Sequence, residues 1–247
     1  MSTVRVEDRE GVRHVAMARA ERRNAFNAQL IAELREALAD VGAARAVVLS
    51  GDGPSFSAGA DADWMRSSVD LTYEENCADA ERMRAMLTTL NECPAPTVAR
   101  VQGHAMGGGA GLVACCDIVL AETDTVFAFS ETKLGLIPSV ISPFVLAKIG
   151  TGTARRYFLT GERFDAETAV SIGLAHEQTN DLDGALDRVL GELASSGPES
   201  VRAAKRLIRE RPHQRATSEL IAEVRATPEA QEGLRAFLEK RAPAWRE

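Results

Sequence analysis

The sequence predicts an α/β fold that ends in a helical extension. In the first 140 residues, β-branched apolar runs alternate with stretches whose apolar residues recur at helical spacing. Two glycine-rich segments each follow one of these runs and precede a stretch that can start a helix. From about residue 142 onward the pattern is helical, so the extension is expected there.

The first elements are predicted to be a hairpin and a capped helix. Thr3–Glu7 and Val12–Met17 flank the turn-forming Arg9-Glu10-Gly11, which favours two antiparallel strands. Asn27 precedes an apolar stripe with a period near 3.6 and is expected to cap that helix. The stripe consists of Leu30, Ile31, Leu34, Leu38 and Val41.

Three further apolar runs are expected to form buried strands, at Arg45–Ser50, Thr97–Gln102 and Asp117–Ala121. Between the first two, Thr72 and Glu75 have capping-box spacing ahead of a helix.

The length of 247 residues suits one large domain, which we expect to divide into a core of residues 1–190 and a helical region of residues 191–247. Asp165 and Thr227 are plausible N-caps in the helical part, and Pro228 follows the second of them.

The net charge of −7 disfavours non-specific nucleic-acid binding. The one dense basic run, Lys205–Arg211, is better explained as an exposed helix face.

The cysteine and histidine pattern argues against a disulfide framework and a metal site. None of the cysteines forms a Cys-x-x-Cys pair, and Cys77 and Cys115 lie in apolar periodic stretches, which predicts buried, reduced thiols. The four histidines lack ligand spacing. The first residues lack the apolar core of a signal peptide, and no apolar run reaches the roughly 18 residues of a membrane helix. We therefore expect a cytoplasmic protein without a metal.

The two glycine-rich segments are the main candidates for a functional site. They are Phe56-Ser-Ala-Gly-Ala-Asp61 and Gly103-His-Ala-Met-Gly-Gly-Gly-Ala-Gly111. A chain that turns from a strand into a helix through glycine exposes backbone N–H groups where the helix dipole favours negative charge. Two such turns that face each other could stabilise one carbonyl oxygen as it becomes an oxyanion.

Other motifs fit less well. The glycine cluster lacks the lysine of a phosphate-binding loop, and Leu112 stands where the third glycine of a dinucleotide fingerprint would be. Ser130-Glu-Thr-Lys133 matches S-x-x-K, but the other motifs of serine acylases are missing. Asp61 and Asp63 could touch a cation, although capping of the following helix is the favoured role.

At Phe56–Met65 and Gly103–Gly109 the chain resembles the enoyl-CoA hydratase/isomerase (crotonase) superfamily. The resemblance implies a crotonase-like spiral of ββα units with a helical C-terminal extension. It also implies that the backbone N–H groups of Ala60 and Gly108 hold the oxygen of an acyl-CoA thioester. The substrate-binding residues that it implies in these two segments are Ala58, Ala60, Asp61, Ala62, Asp63, Gly107, Gly108 and Gly111.

The resemblance extends over nearly the whole chain. Arg22 matches a basic residue that meets the CoA phosphates, and Glu131, in Phe127–Pro138, matches a catalytic glutamate. In the C-terminal segment Gln231–Trp245, Phe237 and Lys240 match ligand-facing positions. The family further implies trimers, often paired as hexamers, and no cofactor besides the CoA that arrives with the substrate.

One departure from the family pattern bears on the reaction. Two-glutamate hydratases carry a carboxylate where this chain has Gly111, so Glu131 is the single candidate acid/base. A lone glutamate suits a Δ3,Δ2-enoyl-CoA isomerase. The sequences of Phe56–Met65, Ser130–Pro143 and Arg156–Phe164 instead resemble those of methylglutaconyl-CoA and related branched enoyl-CoA hydratases, which favours a hydratase.

If the protein is a hydratase of branched substrates, further features of its acyl pocket and oxyanion site are expected. The missing side chain at Gly111 could leave room for the substrate branch or a water, and Lys133 or Arg66 could meet a second carboxylate. A valine at Gly108 is expected to block the thioester without unfolding the protein. The alternatives from other classes are a non-catalytic acyl-CoA-binding protein and an RNA-binding role.

Overall fold

The structure is a computed structural model that describes residues 2–210 and 214–246. The strands in this part of the chain are β1 Val4–Arg9, β2 Val12–Met17, β3 Ala46–Gly51, β4 Thr97–Val101, β5 His104–Met106, β6 Ile118–Glu122, β7 Val126–Ala128, β8 Arg163–Asp165 and β9 Glu177–Thr179. The helices are α1 Ala28–Ala39, α2 Ala62–Ser67, α3 Tyr73–Asn91, α4 Gly108–Cys115, α5 Ser142–Thr160, α6 Ala166–Ser171, α7 Leu182–Ser195, α8 Pro198–Glu210, α9 Gln214–Arg225 and α10 Pro228–Glu239.

A six-stranded sheet with the order β1-β2-β3-β4-β6-β9 forms the centre of the fold. The β1–β2 hairpin is antiparallel, and the remaining neighbours pair in parallel. The strands β3 and β4 are almost wholly buried, as expected for parallel strands that are covered on both faces.

A second sheet of three short strands, β5-β7-β8, produces the spiral. After β4 and after β6 the chain leaves the large sheet, adds a strand to the small sheet and then enters a helical segment. An isolated bridge between Ser57 and Ala105 ties the preceding turn of the chain to β5. The expected spiral of ββα-like turns with C-terminal helices is therefore present.

The capping signals of the sequence are used in the structure. The side chains of Asn27, Asp165 and Thr227 accept hydrogen bonds from the first turns of α1, α6 and α10. Thr72 and Glu75 form the predicted capping box of α3. The turn of the hairpin at Glu10 and Gly11 has positive φ at both residues, as a two-residue hairpin turn requires.

Some expectations were wrong. Cys77 is exposed, because the first half of α3 lies on the surface and only its second half, from Met83 onward, packs on the core. The short strands β8 and β9 were missed, since three residues are too few to show a strand period.

The C-terminal helices leave apolar side chains exposed. The boundary that we expected between residues 190 and 191 falls inside α7, whose buried face packs on the sheet. Helices α8 and α10 are joined through Glu229, which accepts hydrogen bonds from Ser200 and Glu199. Large exposed apolar residues on α8, α9 and α10 are Leu207, Ile208, Ile221, Leu234, Phe237 and Leu238. Within the described ranges, no helix is long and apolar enough to cross a membrane.

Candidate active site

The fold brings the two glycine-rich segments side by side. The amide of Ser57 donates to the carbonyl of His104 at 2.8 Å, and the amide of Met106 donates to the carbonyl of Ser57 at 3.0 Å. These bonds lie at the start of both segments, so the turns that follow enter the same space.

The loop that ends at Phe26 fixes the first segment from its other side. The amide of Phe26 donates to Gly59 at 2.7 Å, and the carbonyl of Phe26 accepts from Asp61 at 2.9 Å. The fully buried Asn24 holds this loop through hydrogen bonds from its amide nitrogen to the carbonyls of Asp52 and Ser55. With Gly59 and Asp61 hydrogen-bonded to Phe26, the N–H of Ala60 points to the side away from Phe26.

The amides of Ala60 in the first segment and of Gly108 in the second are left without a protein acceptor among the described residues. The neighbouring amides of Gly59, Asp61 and Gly107 all donate to protein oxygens. Across the part of the chain that the structure describes, the amides of Ala60 and Gly108 donate to none. The Gly108 amide is also the first of helix α4, where the helix dipole is positive.

The backbone at Gly107 explains why glycine stands there. Its φ of 49° and ψ of −117° lie in a region that L side chains rarely adopt. A Cβ at this position would lie 3.4 Å from Oε1 of Glu131, so the carboxylate sits directly over the turn. The turn therefore starts helix α4 and leaves space for the acid.

A cavity of about 280 Å³ opens onto these groups. Five residues that the sequence predicted as site residues line it: Ala58, Ala60, Gly107, Gly108 and Glu131. The other side chains that form its walls were not predicted from the sequence, because they are spread over α2, α3 and the segment after β7 without a common motif. They are Trp64, Met65, Ser68, Asp79, Ser130, Leu134 and Leu136.

Glu131 contributes a carboxyl group to this cavity. It begins a short 3-10 turn, Glu131–Leu134, which Gly135 ends in a left-handed conformation. Its Oε2 atom is buried and has no hydrogen-bond partner, an arrangement that is costly unless a ligand or a water supplies one. Burial raises the pKa of the Glu131 carboxyl above its usual value of 4.5. A raised pKa suits a group that must both take and return a proton near neutral pH.

The raised pKa also predicts how stability depends on pH. Folding favours the protonated form of Glu131, so the folded state is stabilised below pH 4.5, and this contribution is lost as the pH rises through the folded-state pKa. The Glu131→Gln variant should therefore be more stable than the wild type at pH 7, and the difference should shrink toward pH 4.5. Thermal unfolding of both proteins from pH 4 to pH 8 measures this. An equal difference at all pH values would contradict it.

The expectation for Gly111 was wrong. The residue is buried inside α4, and a Cβ there would lie 2.4 Å from Cγ2 of Ile141. The side chain of Ile141 therefore fills the space in which a second carboxylate would stand, and neither a substrate branch nor a water can occupy it. Gly111 does not line the cavity.

The expected effect of valine at Gly108 was also wrong. A Cβ at this residue would point into the core, 2.5 Å from Cε of Met83 and 3.2 Å from the ring of Phe26. A valine would thus disturb packing rather than block the thioester. Gly108 itself lines the cavity, and the absence of a side chain serves the packing of Met83 and Phe26.

The acidic side chains of the first segment are already engaged. Asp61 is 5% exposed, caps α2 through the amide of Asp63 and pairs with Arg19 at 2.8 Å, so its carboxylate is not available to a substrate. Asp63 pairs with Arg66 at 2.6 Å and with Arg22 at 3.3 Å, and all three side chains are more than half exposed. Together with Ala62 at the start of α2, Arg22 and Asp63 lie outside the cavity lining.

Phe237 and Lys240 are not brought to this cavity. Both lie at the end of α10, where Phe237 is 81% exposed and Lys240 takes a left-handed C-cap conformation. Within a single chain the site is therefore formed without the C-terminal helix. Among residues 2–210 and 214–246 no cluster of three or more histidine, cysteine or acidic side chains could hold a metal ion.

Comparison with known proteins agrees with this geometry. The sequence model of the family described as enoyl-CoA hydratase/isomerase matches residues 7–247. A Thermus thermophilus protein, provisionally named an enoyl-CoA hydratase, is 34% identical over 235 residues, covering 90% of this chain and 92% of the relative.

Solved structures show the same similarity. An enoyl-CoA hydratase from Shewanella pealeana superposes with a TM-score of 0.93 at 38% identity, covering 98% of this chain and 96% of that one. One from Mycobacterium smegmatis gives 0.93 at 28% identity and covers both chains completely. Because the family model and these relatives match nearly its whole length, the chain belongs to the enoyl-CoA hydratase/isomerase family.

Proposed function

We propose that this protein hydrates 2-enoyl-CoA thioesters to 3-hydroxyacyl-CoA, with Glu131 as its single acid/base. The observation that carries the proposal is the buried, unpartnered Oε2 of Glu131 in the same cavity as the two free amides of Ala60 and Gly108. The site thus offers one group that can move a proton and two that can stabilise an enolate.

In the proposed reaction the thioester oxygen accepts hydrogen bonds from Ala60 and Gly108. Glu131 takes a proton from a water whose oxygen adds to the β-carbon. The electrons of the double bond move onto the thioester oxygen, and the enolate is stabilised by the two amides and the positive end of α4. Glu131 then returns its proton to the α-carbon, which restores the carboxylate.

Ser130 favours hydration over isomerisation. Ser130 lines the cavity next to Glu131, and its hydroxyl has no protein partner in the described part of the chain, so the hydroxyl could hold the attacking water together with the carboxylate. The second candidate is Δ3,Δ2-enoyl-CoA isomerisation, in which Glu131 moves a proton between the α- and γ-carbons. Among the described residues, Glu131 is the one acidic side chain at the end of the cavity where the two amides lie. This supports the alternative, because isomerisation needs no second group to position water.

A substrate panel tests the proposal. Crotonyl-CoA should lose its enoyl-thioester absorbance in the presence of the protein, whereas 3-hexenoyl-CoA should be converted more slowly. Faster conversion of the 3-enoyl ester would favour the isomerase, and binding without conversion of any ester would favour the non-catalytic acyl-CoA-binding protein.

A second carboxylate on the substrate is less well supported. Lys133 and Arg66, the two cations considered for a methylglutaconyl group, are exposed and do not line the cavity, and Arg66 is paired with Asp63. Including methylglutaconyl-CoA in the panel tests this, with preference for crotonyl-CoA as the expected result.

We further propose that CoA phosphates bind near Arg22, which is 53% exposed at the edge of the first segment, and that the protein needs no metal or redox cofactor.

The exposed apolar residues of α8–α10 support assembly into a trimer or a pair of trimers. In such an assembly, Phe237 and Lys240 would meet the acyl-CoA of the same or a neighbouring subunit. Sedimentation equilibrium measures the assembly.

A further inference from the structure

The cavity contains a second carboxylate that the proposed chemistry does not use. Asp79 lies on α3, four residues before Met83, and residues at this spacing share one face of a helix. Met83 reaches the start of α4, since its Cε lies 2.5 Å from the position of a Cβ on Gly108. Asp79 therefore lies one helical turn farther from the amides, where it lines the cavity together with Ser68.

The surroundings of Asp79 leave one of its oxygens available. The side chain is 16% exposed, and its Oδ1 pairs with Arg82 at 2.6 Å. No described residue donates a hydrogen bond to Oδ2.

Acyl groups of different chemistry would interact differently with Oδ2 of Asp79. A purely aliphatic chain that enters the cavity would remove water from Oδ2 and supply no donor in its place, which is unfavourable for a carboxylate. A second carboxylate would meet a like charge. A hydroxyl can donate to Oδ2 and satisfies it without bringing a charge.

We infer that Asp79 is a specificity-determining residue that selects acyl-CoA substrates with a hydroxyl group on the part of the chain distal to the thioester. The inference rests on the proposed function for the identity of the thioester ligand, and it adds the class of acyl group. The remaining wall residues Trp64, Met65 and Leu136 provide the apolar contact for the methylene groups between the two ends.

Matched substrates test the inference. Hex-2-enoyl-CoA and 6-hydroxyhex-2-enoyl-CoA differ by one hydroxyl, as do the corresponding pentenoyl esters. For at least one pair, the wild type should show a kcat/KM about tenfold higher for the hydroxylated ester. Asp79→Leu should reverse this preference, and Asp79→Asn, which keeps an acceptor oxygen, should retain part of it.

The chain offers a matched control variant. Glu81 pairs with Arg84 at 2.5 Å with the same spacing along α3 as Asp79 and Arg82, but it lies outside the cavity. Glu81→Leu removes an equivalent ion pair and should leave the substrate ratio unchanged. An unchanged ratio in Asp79→Leu, or a wild type that prefers the aliphatic ester of both pairs, would overturn the inference.

A binding measurement separates this inference from the proposed reaction. Calorimetry with saturated hexanoyl-CoA, 6-hydroxyhexanoyl-CoA and the pentanoyl pair needs no turnover. A preference for a hydroxylated ester that Asp79→Leu abolishes would support Asp79 even if no enoyl ester were hydrated. Hydration of crotonyl-CoA with equal binding of the saturated esters in each pair would retain the proposed function and reject the role of Asp79.

Discussion

Replacement of Glu131 by Gln is expected to lower kcat by about 10²–10⁴-fold. The amide has nearly the same shape as the carboxylate but can neither take a proton from water nor return one to the α-carbon. Because no other group of the cavity lies over Gly107 as this carboxylate does, no neighbour can replace it. Loss of crotonyl-CoA absorbance, measured over a range of substrate concentrations, gives kcat and KM separately.

The binding of the CoA ester should change little in this variant. The two amides and the walls of the cavity remain, so KM and the calorimetric affinity for a saturated ester are expected to stay within a few-fold of the wild type. Glu36→Gln makes the same chemical change on the exposed side of α1 and serves as the control. Wild-type turnover by Glu131→Gln would remove this residue from the mechanism.

Much of the fold could be predicted from local signals. The cap at Asn27, the capping box at Thr72 and Glu75, and the buried runs of β3 and β4 are each encoded within a few neighbouring residues. Such signals act through the backbone of their own segment, so they are visible without knowledge of the tertiary structure.

The walls of the site could not be predicted in the same way. Asp79 and Ser68 are polar residues that resemble ordinary surface positions in the sequence. Only the packing of Met83 on α4 brings the side of α3 that carries Asp79 to the cavity, where Ser68 at the end of α2 also lies. Likewise, the space at Gly111 looks empty in the sequence because Ile141, which fills it, lies 30 residues later. Both the cavity wall at Asp79 and the space at Gly111 depend on contacts between segments that are far apart in the sequence.

The reason for each glycine in the motif could not be predicted from the sequence either. A glycine in a motif can serve a ligand, a backbone conformation or a neighbouring side chain. At Gly107 the reason is the backbone, with φ of 49°, whereas at Gly108 it is the contact with Met83 and Phe26. A side chain at Gly108 is therefore a poor probe of the oxyanion site, and the amide at Ala60 provides a better one.

Ala60→Pro should reduce kcat/KM by about 10²–10³-fold, because proline has no N–H to donate to the developing enolate. The substitution is suited to this residue. The Ala60 side chain is exposed, its amide has no protein acceptor in the described chain, and its neighbour Gly59 places few restrictions on the backbone ahead of a proline.

Ala60→Gly is the control, since it changes the side chain at the same position but keeps the N–H, and it should remain within about threefold of the wild type. Thermal unfolding checks that both variants are folded. Normal turnover by Ala60→Pro would show that the thioester oxygen lies elsewhere. If Ala60→Pro and Glu131→Gln both slow the exchange of α-protons of a saturated acyl-CoA with D₂O, then the amide and the carboxylate act on one enolate, because that exchange needs a base and a stabilised oxygen but no attacking water.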